Sequence, residues 1–318
     1  MAIDLKSSLE WTRADAEQRK VLDDLQGNIL DGHGRKATRN IFLRFDDAER
    51  GRAFVRDMAP LITSAWRQLD DARAFRATGK AAGAFFGLML SAAGYAALGV
   101  AAKKPTDGGA FDQGMLARRA LLNDPPPADL EASYRDPLHA MILIGGAPDS
   151  ATSWKSREVD AAVLQVTDLA AGRATIVVTE TGRAIFRSAG KDESGIRKIE
   201  GIEHFGYVDG RSQPLLLKEL VRREADESDG ISVWNPEFPI GQVLVADPAR
   251  LPPPGRRHSA AISCFASWSR MSLPSSNGSS ATLPARRGSA NSPVRCWSAV
   301  SRTALRSFFS ATPAGTIR

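Results

Sequence analysis

Residues 251–318 contain no lysine, aspartate or glutamate, and residues 1–250 contain no cysteine. The first absence is abnormal, because globular segments are about a quarter charged with both signs mixed. The second means that no disulfide framework holds the larger part together, and it neither demands nor excludes an oxidising compartment. Cys264 and Cys296 both lie in the tail and form no C-x-x-C pair. The chain also lacks an H-E-x-x-H zinc motif, a Walker-type phosphate loop and a G-x-S-x-G nucleophile elbow, so those chemistries have no sequence warrant. The first 20 residues have no apolar core of a secretory signal, which makes the cytoplasm the expected compartment. The uncharged run 81–102 is long enough on its face to cross a bilayer. Gly and Ala dominate it, however, and Ser91-Ala92-Ala93-Gly94 reads as a strand-to-helix junction. A buried strand followed by a small-residue helix is expected there, and no membrane partner.

What is present divides the chain in two. The net charge is +6, and the tail holds nine Arg, so residues 1–250 carry −3. The tail also holds fifteen Ser. Three readings compete for it: a disordered Arg/Ser arm for nucleic acid or an anionic surface, a Ser-rich linker, and translation in a shifted frame. Dispersed arginines, with Trp268, Trp297, Phe308 and Phe309, argue against the arm, so nucleic acid is not an expected partner. No domain follows to be linked. The third reading can be checked on paper. Residues 264–273, CFASWSRMSL, can be encoded by tgc ttc gca agc tgg agc aga atg tcg ctg, which from its third base reads LRKLEQNVA. A frame change between about 247 and 260 is therefore expected, with 251–318 out of frame and disordered.

Short apolar runs flanked by charge or Gly predict strands at 41–45, 85–90, 139–144 and 175–179. A helix fits between the first pair, with Phe54, Met58 and Leu61 on one face. Another fits between the second pair, with Val159, Val163, Val166 and Ala170 at spacings of four, three and four. The order β-α-β, β-α-β is that of a ferredoxin-like α+β sandwich. An excursion at 91–137 contains Pro125-Pro126-Pro127. Beyond the fourth strand, 186–214 reads as a Gly- and charge-rich crossover loop, 215–225 as a short helix, and 242–245 as the opening of a second sheet.

The run His204-Phe205-Gly206-Tyr207-Val208-Asp209-Gly210-Arg211-Ser212-Gln213 places one carboxylate between glycines, directly before Pro214. Alone it is an Asp-Gly turn. It does not stand alone. Gly206-Tyr207-Val208-Asp209-Gly210 matches the GxxDG signature of the dye-decolourising (DyP-type) heme peroxidases. Residues 25–35, with Gln26-Gly27-Asn28-Ile29-Leu30 and Gly32-His33-Gly34-Arg35, resemble that family's opening. Residues 90–95, 138–144, 231–238 and 241–244 resemble further segments of it in the same order.

The resemblance implies a tandem of ferredoxin-like domains with heme b held mainly by the second. The layout is then an N-terminal extension at 1–20, a first domain at 21–190, and the start of the heme-binding domain at 191–250. It implies hydrogen peroxide as oxidant and a bulky aromatic or dye-like reductant, and it leaves a homo-oligomer open. Asp209 would be the distal acid–base group that moves a proton between the peroxide oxygens. Gly206 and Gly210 would let the backbone approach the porphyrin, with Val208, Ser212 and Gln213 at the heme edge. A proximal His, the usual peroxidase ligand, and a distal Arg belong downstream of the signature in the family. None of His33, His139, His204 and His258 sits where that ligand is expected, so no metal ligand is assigned. Two readings of other classes remain: a non-catalytic dimerisation or cargo module, and a basic tail that binds RNA.

Overall fold

The computed structural model describes residues 4–101, 109–150, 153, 155–191, 194–203, 206–208, 215–227, 237–246, 259–266 and 294–299, the last two stretches as backbone only. Helix α1 (Ala16–Asp24) opens with a capping box, in which Asp15 accepts from the Gln18 amide and the Gln18 side chain accepts from the Asp15 amide. Strand β1 (Ala37–Phe45) follows, and period-two alternation sends Ile41, Leu43 and Phe45 to one face and Phe42 to the other. Asp47 caps helix α2 (Ala48–Met58), whose buried stripe is Phe54, Val55 and Met58. Helix α3 (Ala65–Thr78), capped by Ser64, leads to strand β2 (Phe85–Leu90). Helices α4 (Ala92–Ala97) and α5 (Ala110–Leu122) occupy the excursion. Strand β3 (Ala140–Gly146), helix α6 (Arg157–Ala170) and strand β4 (Ala174–Arg183) complete the first repeat pair.

All four strands expected from the sequence are present, and β1, β3 and β4 extend beyond their expected limits. Antiparallel pairing gives the order β4-β1-β3-β2, the ferredoxin-like arrangement. Between this sheet and the helices lies the main core, where Ile41, Phe54, Met58, Leu88, Ile142 and Val166 are fully buried. The opposite face carries a second cluster of Phe42, Phe85, Met89, Tyr134, Leu138 and Met141. The uncharged run 81–102 is β2 and α4, joined at Ser91. The Ser91 hydroxyl caps α4 by accepting from the Gly94 amide at 2.9 Å and donates to the Leu138 carbonyl at 2.6 Å. A Cβ at Gly94 would lie 2.0 Å from the His139 carbonyl oxygen, so only glycine lets α4 sit this close to the start of β3.

Several expectations are corrected. Helix α3 was not legible as a separate helix, and Leu61 lies outside α2, packed against its core. Residues 186–214 are not all loop: strands β5 (Ile185–Lys191) and β6 (Arg197–Ile202) form an antiparallel hairpin. Its warrant is cross-strand pairing, with Ile185 opposite Ile202 and Arg187 opposite Glu200. After helix α7 (Lys218–Glu227), strand β7 (Leu244–Ala246) does not open a separate sheet. It pairs with β8 (Ser259–Ala266), which pairs with β9 (Val294–Ala299), and β9 joins the edge of β2. The result is one seven-stranded sheet, β4-β1-β3-β2-β9-β8-β7. Two stretches of the tail read as disordered are therefore strands. Finally, residues 1–20 include more than an appended extension: Leu9 and Trp11 are buried with Leu22, Leu25, Leu69, Leu216, Leu217 and Ile240.

Candidate functional site

The signature begins at the end of the β5–β6 hairpin. The Glu203 amide donates to the Tyr207 carbonyl at 3.0 Å, and the Gly206 amide donates back to the Glu203 carbonyl at 2.9 Å. Val208 then pairs antiparallel with Ile202. Gly206 has φ +88°, a left-handed conformation that glycine adopts without steric cost. Its carbonyl accepts from Arg187 Nη1 at 3.1 Å, while Arg187 Nε donates to Glu200 Oε1 at 2.5 Å. Tyr207 and Val208 are exposed, at 70% and 48%. Of the predicted site residues, Gly206 and Val208 are thus in a defined turn. Asp209, Gly210, Ser212 and Gln213 lie outside the described residues, as do His204 and His258. Arg187 was missed by the sequence reading. The signal available for it was the alternation of Ile185, Arg187, Ile199 and opposite charge at Glu200.

His33 and His139 are committed to the first domain. His33 stacks on Phe85 with centroids 5.1 Å apart, and its Nδ1 accepts from the Arg35 amide at 2.9 Å. Burial, with the Arg35 charge, pushes its pKa from 6.5 to about 4. His139 Nδ1 accepts from the Phe45 amide at 2.9 Å, and burial with the nearby Arg44 lowers its pKa too. Both rings are neutral acceptors that complete backbone hydrogen bonding. The rest of the opening motif is similarly structural. Gln26 makes both hydrogen bonds of a strand partner to Leu88, at 2.9 Å each. Gln68 accepts from the Asn28 amide at 2.6 Å and donates to the carbonyls of Asp31 and Gly32. Burial raises the Asp31 carboxyl.

Among the described residues, no three His, Cys, Asp or Glu side chains gather as a metal site. Two clefts among the described residues are lined by residues other than those of the signature turn. One of about 290 Å³ is lined by Asp4, Ser8, Glu10, Arg13 and Lys218, and one of about 310 Å³ by Asp57, Leu61, Gln165, Asp168 and Leu169. No described helix is long and apolar enough to cross a membrane.

An antiparallel β4-β1-β3-β2 sheet with α2 and α6 packed on one face is an α+β domain of the ferredoxin-like kind. Residues 24–182 match the family described as the DyP dimeric alpha+beta barrel domain. The multifunctional dye peroxidase DyP2 of Amycolatopsis sp. is 38% identical over 249 residues, 78% of this chain and 50% of that protein. The solved structure of DyP2 from Amycolatopsis sp. superposes with a TM-score of 0.69 at 36% identity, covering 82% of this chain and 52% of the other. A DyP-type peroxidase from Anabaena sp. gives 0.65 at 32% identity, covering 77% and 51%. The chain belongs to the dye-decolourising (DyP-type) peroxidase family. It spans about half the length of the relatives it matches.

Proposed function

We propose that this gene encodes a cytoplasmic heme b peroxidase that uses hydrogen peroxide to oxidise bulky aromatic or dye-like reductants, with Asp209 as the group that takes up and returns the peroxide proton. Family membership supports the class. The observation that carries the site is the turn at the start of the signature, where a left-handed Gly206 follows a hairpin and hands the chain to Val208 and Asp209. An aspartate at its ordinary pKa, about 3.9, accepts a proton at any higher pH, so activity should extend into the acid range. Gly206, Val208, Gly210, Ser212 and Gln213 would line the heme edge.

The same reading includes the frame change. Its support is the abnormal composition of residues 251–318, which hold nine Arg and no Lys, Asp or Glu. Sequencing from codon 240 onward should reveal a one-base slip, and the resumed frame should restore acidic residues, a His and an Arg. This chain as written is accordingly read as impaired in heme retention. Strand β9 beside β2, with β8 next to it, speaks against a free RNA-binding arm. The test of Asp209 is D209N in the frame-restored protein. Heme uptake should be unchanged while the rate of reaction with peroxide falls about 10²-fold or more; an unchanged rate would remove Asp209 from the reaction.

A further inference from the structure

The seven-stranded sheet ends at β7 on one side and at β4 on the other. An edge strand presents amides and carbonyls that a further strand can take up, and proteins blunt such edges with short strands, lysine, proline or bulges. Strand β7 is only three residues long. Strand β4 runs for ten and contains neither Lys nor Pro. Among the described strands none pairs with its outer side. Its one blunting device is a bulge. Phe42 faces Val178 and Leu43 faces Ile176, so Val177 is passed over in the pairing with β1.

The residues of this edge read nearly the same in both directions. Thr175-Ile176-Val177-Val178-Thr179 is uncharged and β-branched throughout, the residue type that fits a pleated, half-buried surface. Thr175 and Thr179 are exposed, while Ile176, Val177 and Val178 are half-buried. Antiparallel pairing of two copies about a two-fold axis at Val177 sets Thr175 opposite Thr179, Ile176 opposite Val178, and Val177 opposite itself. On the flanks, Ala174 meets Glu180 and Arg173 meets Thr181, so no like charges face each other. Glu180 is already engaged by the Tyr134 hydroxyl, and Arg173 by Asp57 at 2.7 Å. A two-fold dimer needs such a self-complementary patch, and an axis at Val177 makes the bends of the two bulges coincide.

We infer that β4 is a self-association edge, on which a second copy of this chain pairs antiparallel across residues 174–180 and joins the two sheets into one. The inference does not depend on heme or on the peroxidase reading. It is tested on the full 318-residue chain by sedimentation equilibrium over about two decades of concentration, where the wild type should populate a dimer. Thr175→Lys with Thr179→Lys sets lysine opposite lysine twice and should weaken that dimer about a hundredfold or more. Thr175→Glu with Thr179→Glu should do the same. An equimolar mixture of the two double variants should recover the dimer, a result that misfolded variants could not give. Directly opposed residues of paired strands have Cα atoms about 4.5–5.5 Å apart, within disulfide reach. Val177→Cys, with Cys264→Ser and Cys296→Ser, should therefore give a linked dimer on air oxidation, and Thr181→Cys in the same background should not. A wild type that stays monomeric would overturn the inference. So would lysine and glutamate variants that dimerise as the wild type does, a mixture that stays monomeric, or a link through residue 181 in place of 177.

Discussion

The first-domain sheet and the signature hairpin use the same antiparallel pairing but rest on different support. Strands β1 and β3 each have a partner on both sides, helices over one face, and Tyr134 and Leu138 against the other. Their apolar side chains are almost entirely out of water. Among the described strands, β5 and β6 pair with each other alone, extended by the single bridge from Ile202 to Val208. Phe186, Ile199 and Tyr207 are 46%, 63% and 70% exposed there, and an isolated two-stranded ribbon is marginal in water. The part that matches the family's barrel domain therefore carries its own stability. The hairpin that begins the signature is held instead by its own cross-strand pairing and by Arg187, which ties Glu200 to the Gly206 carbonyl.

The largest expected effect breaks the stable side of that contrast. Phe54→Ala, at a fully buried position of α2, should cost about 3–5 kcal/mol, measured by urea unfolding followed through tryptophan fluorescence. The hairpin should be lost together with the sheet. Acid comes next. The folded pKa of His33 lies near 4, below the unfolded value of 6.5, so the unfolded chain binds the extra proton first. Stability is full above pH 6.5, falls as pH drops toward 4 by up to ~3 kcal/mol, and levels off below. His139 shifts in the same direction and deepens the loss; the buried, raised Asp31 works against it. A denaturation midpoint that stays flat from pH 7 to 4 would contradict the acceptor roles of both rings.

Gly94→Ala sharpens the comparison at one contact. The added carbon would meet the His139 carbonyl oxygen, and the forced shift of α4 should cost about 1–3 kcal/mol. Thermal unfolding would register it, with no change at the hairpin. Arg187→Met should be the smallest globally, within about 1 kcal/mol, because the Arg187–Glu200 pair is solvent-accessible. Its effect should be local: faster exchange of the amides at 203 and 206 while β1 is unaffected. A general loss of protection would mean that the hairpin supports the sheet, reversing the dependence drawn here.

The pattern of legibility follows the same division. Strands 85–90 and 139–144 and the stripe Val159–Val166–Ala170 could be read because one buried face imposes a period on the sequence. Helix α3 could not, because its buried Ala65, Gln68 and Leu69 occupy only its first turns. The hairpin was masked by charge, since its faces are largely exposed and its alternation of Ile185, Arg187 and Ile199 is weak beside that of a buried strand. The pairing of the N-terminal segment with residues near 217 was invisible for another reason: Leu9 and Leu217 are ordinary leucines, and nothing local announces a pairing across about two hundred residues. Gln26, Asn28 and His33 stood out as a motif, yet only their hydrogen bonds reveal that they tie a loop to β2 and α3. Asp209 was singled out by its signature alone.

The most direct measurement is a hemin titration of the 318-residue chain beside its frame-restored counterpart, followed by addition of hydrogen peroxide. The account predicts a stoichiometric, peroxide-reactive Soret band for the restored protein and none for the chain as written. A stoichiometric band that responds to peroxide in the 318-residue chain itself would contradict it.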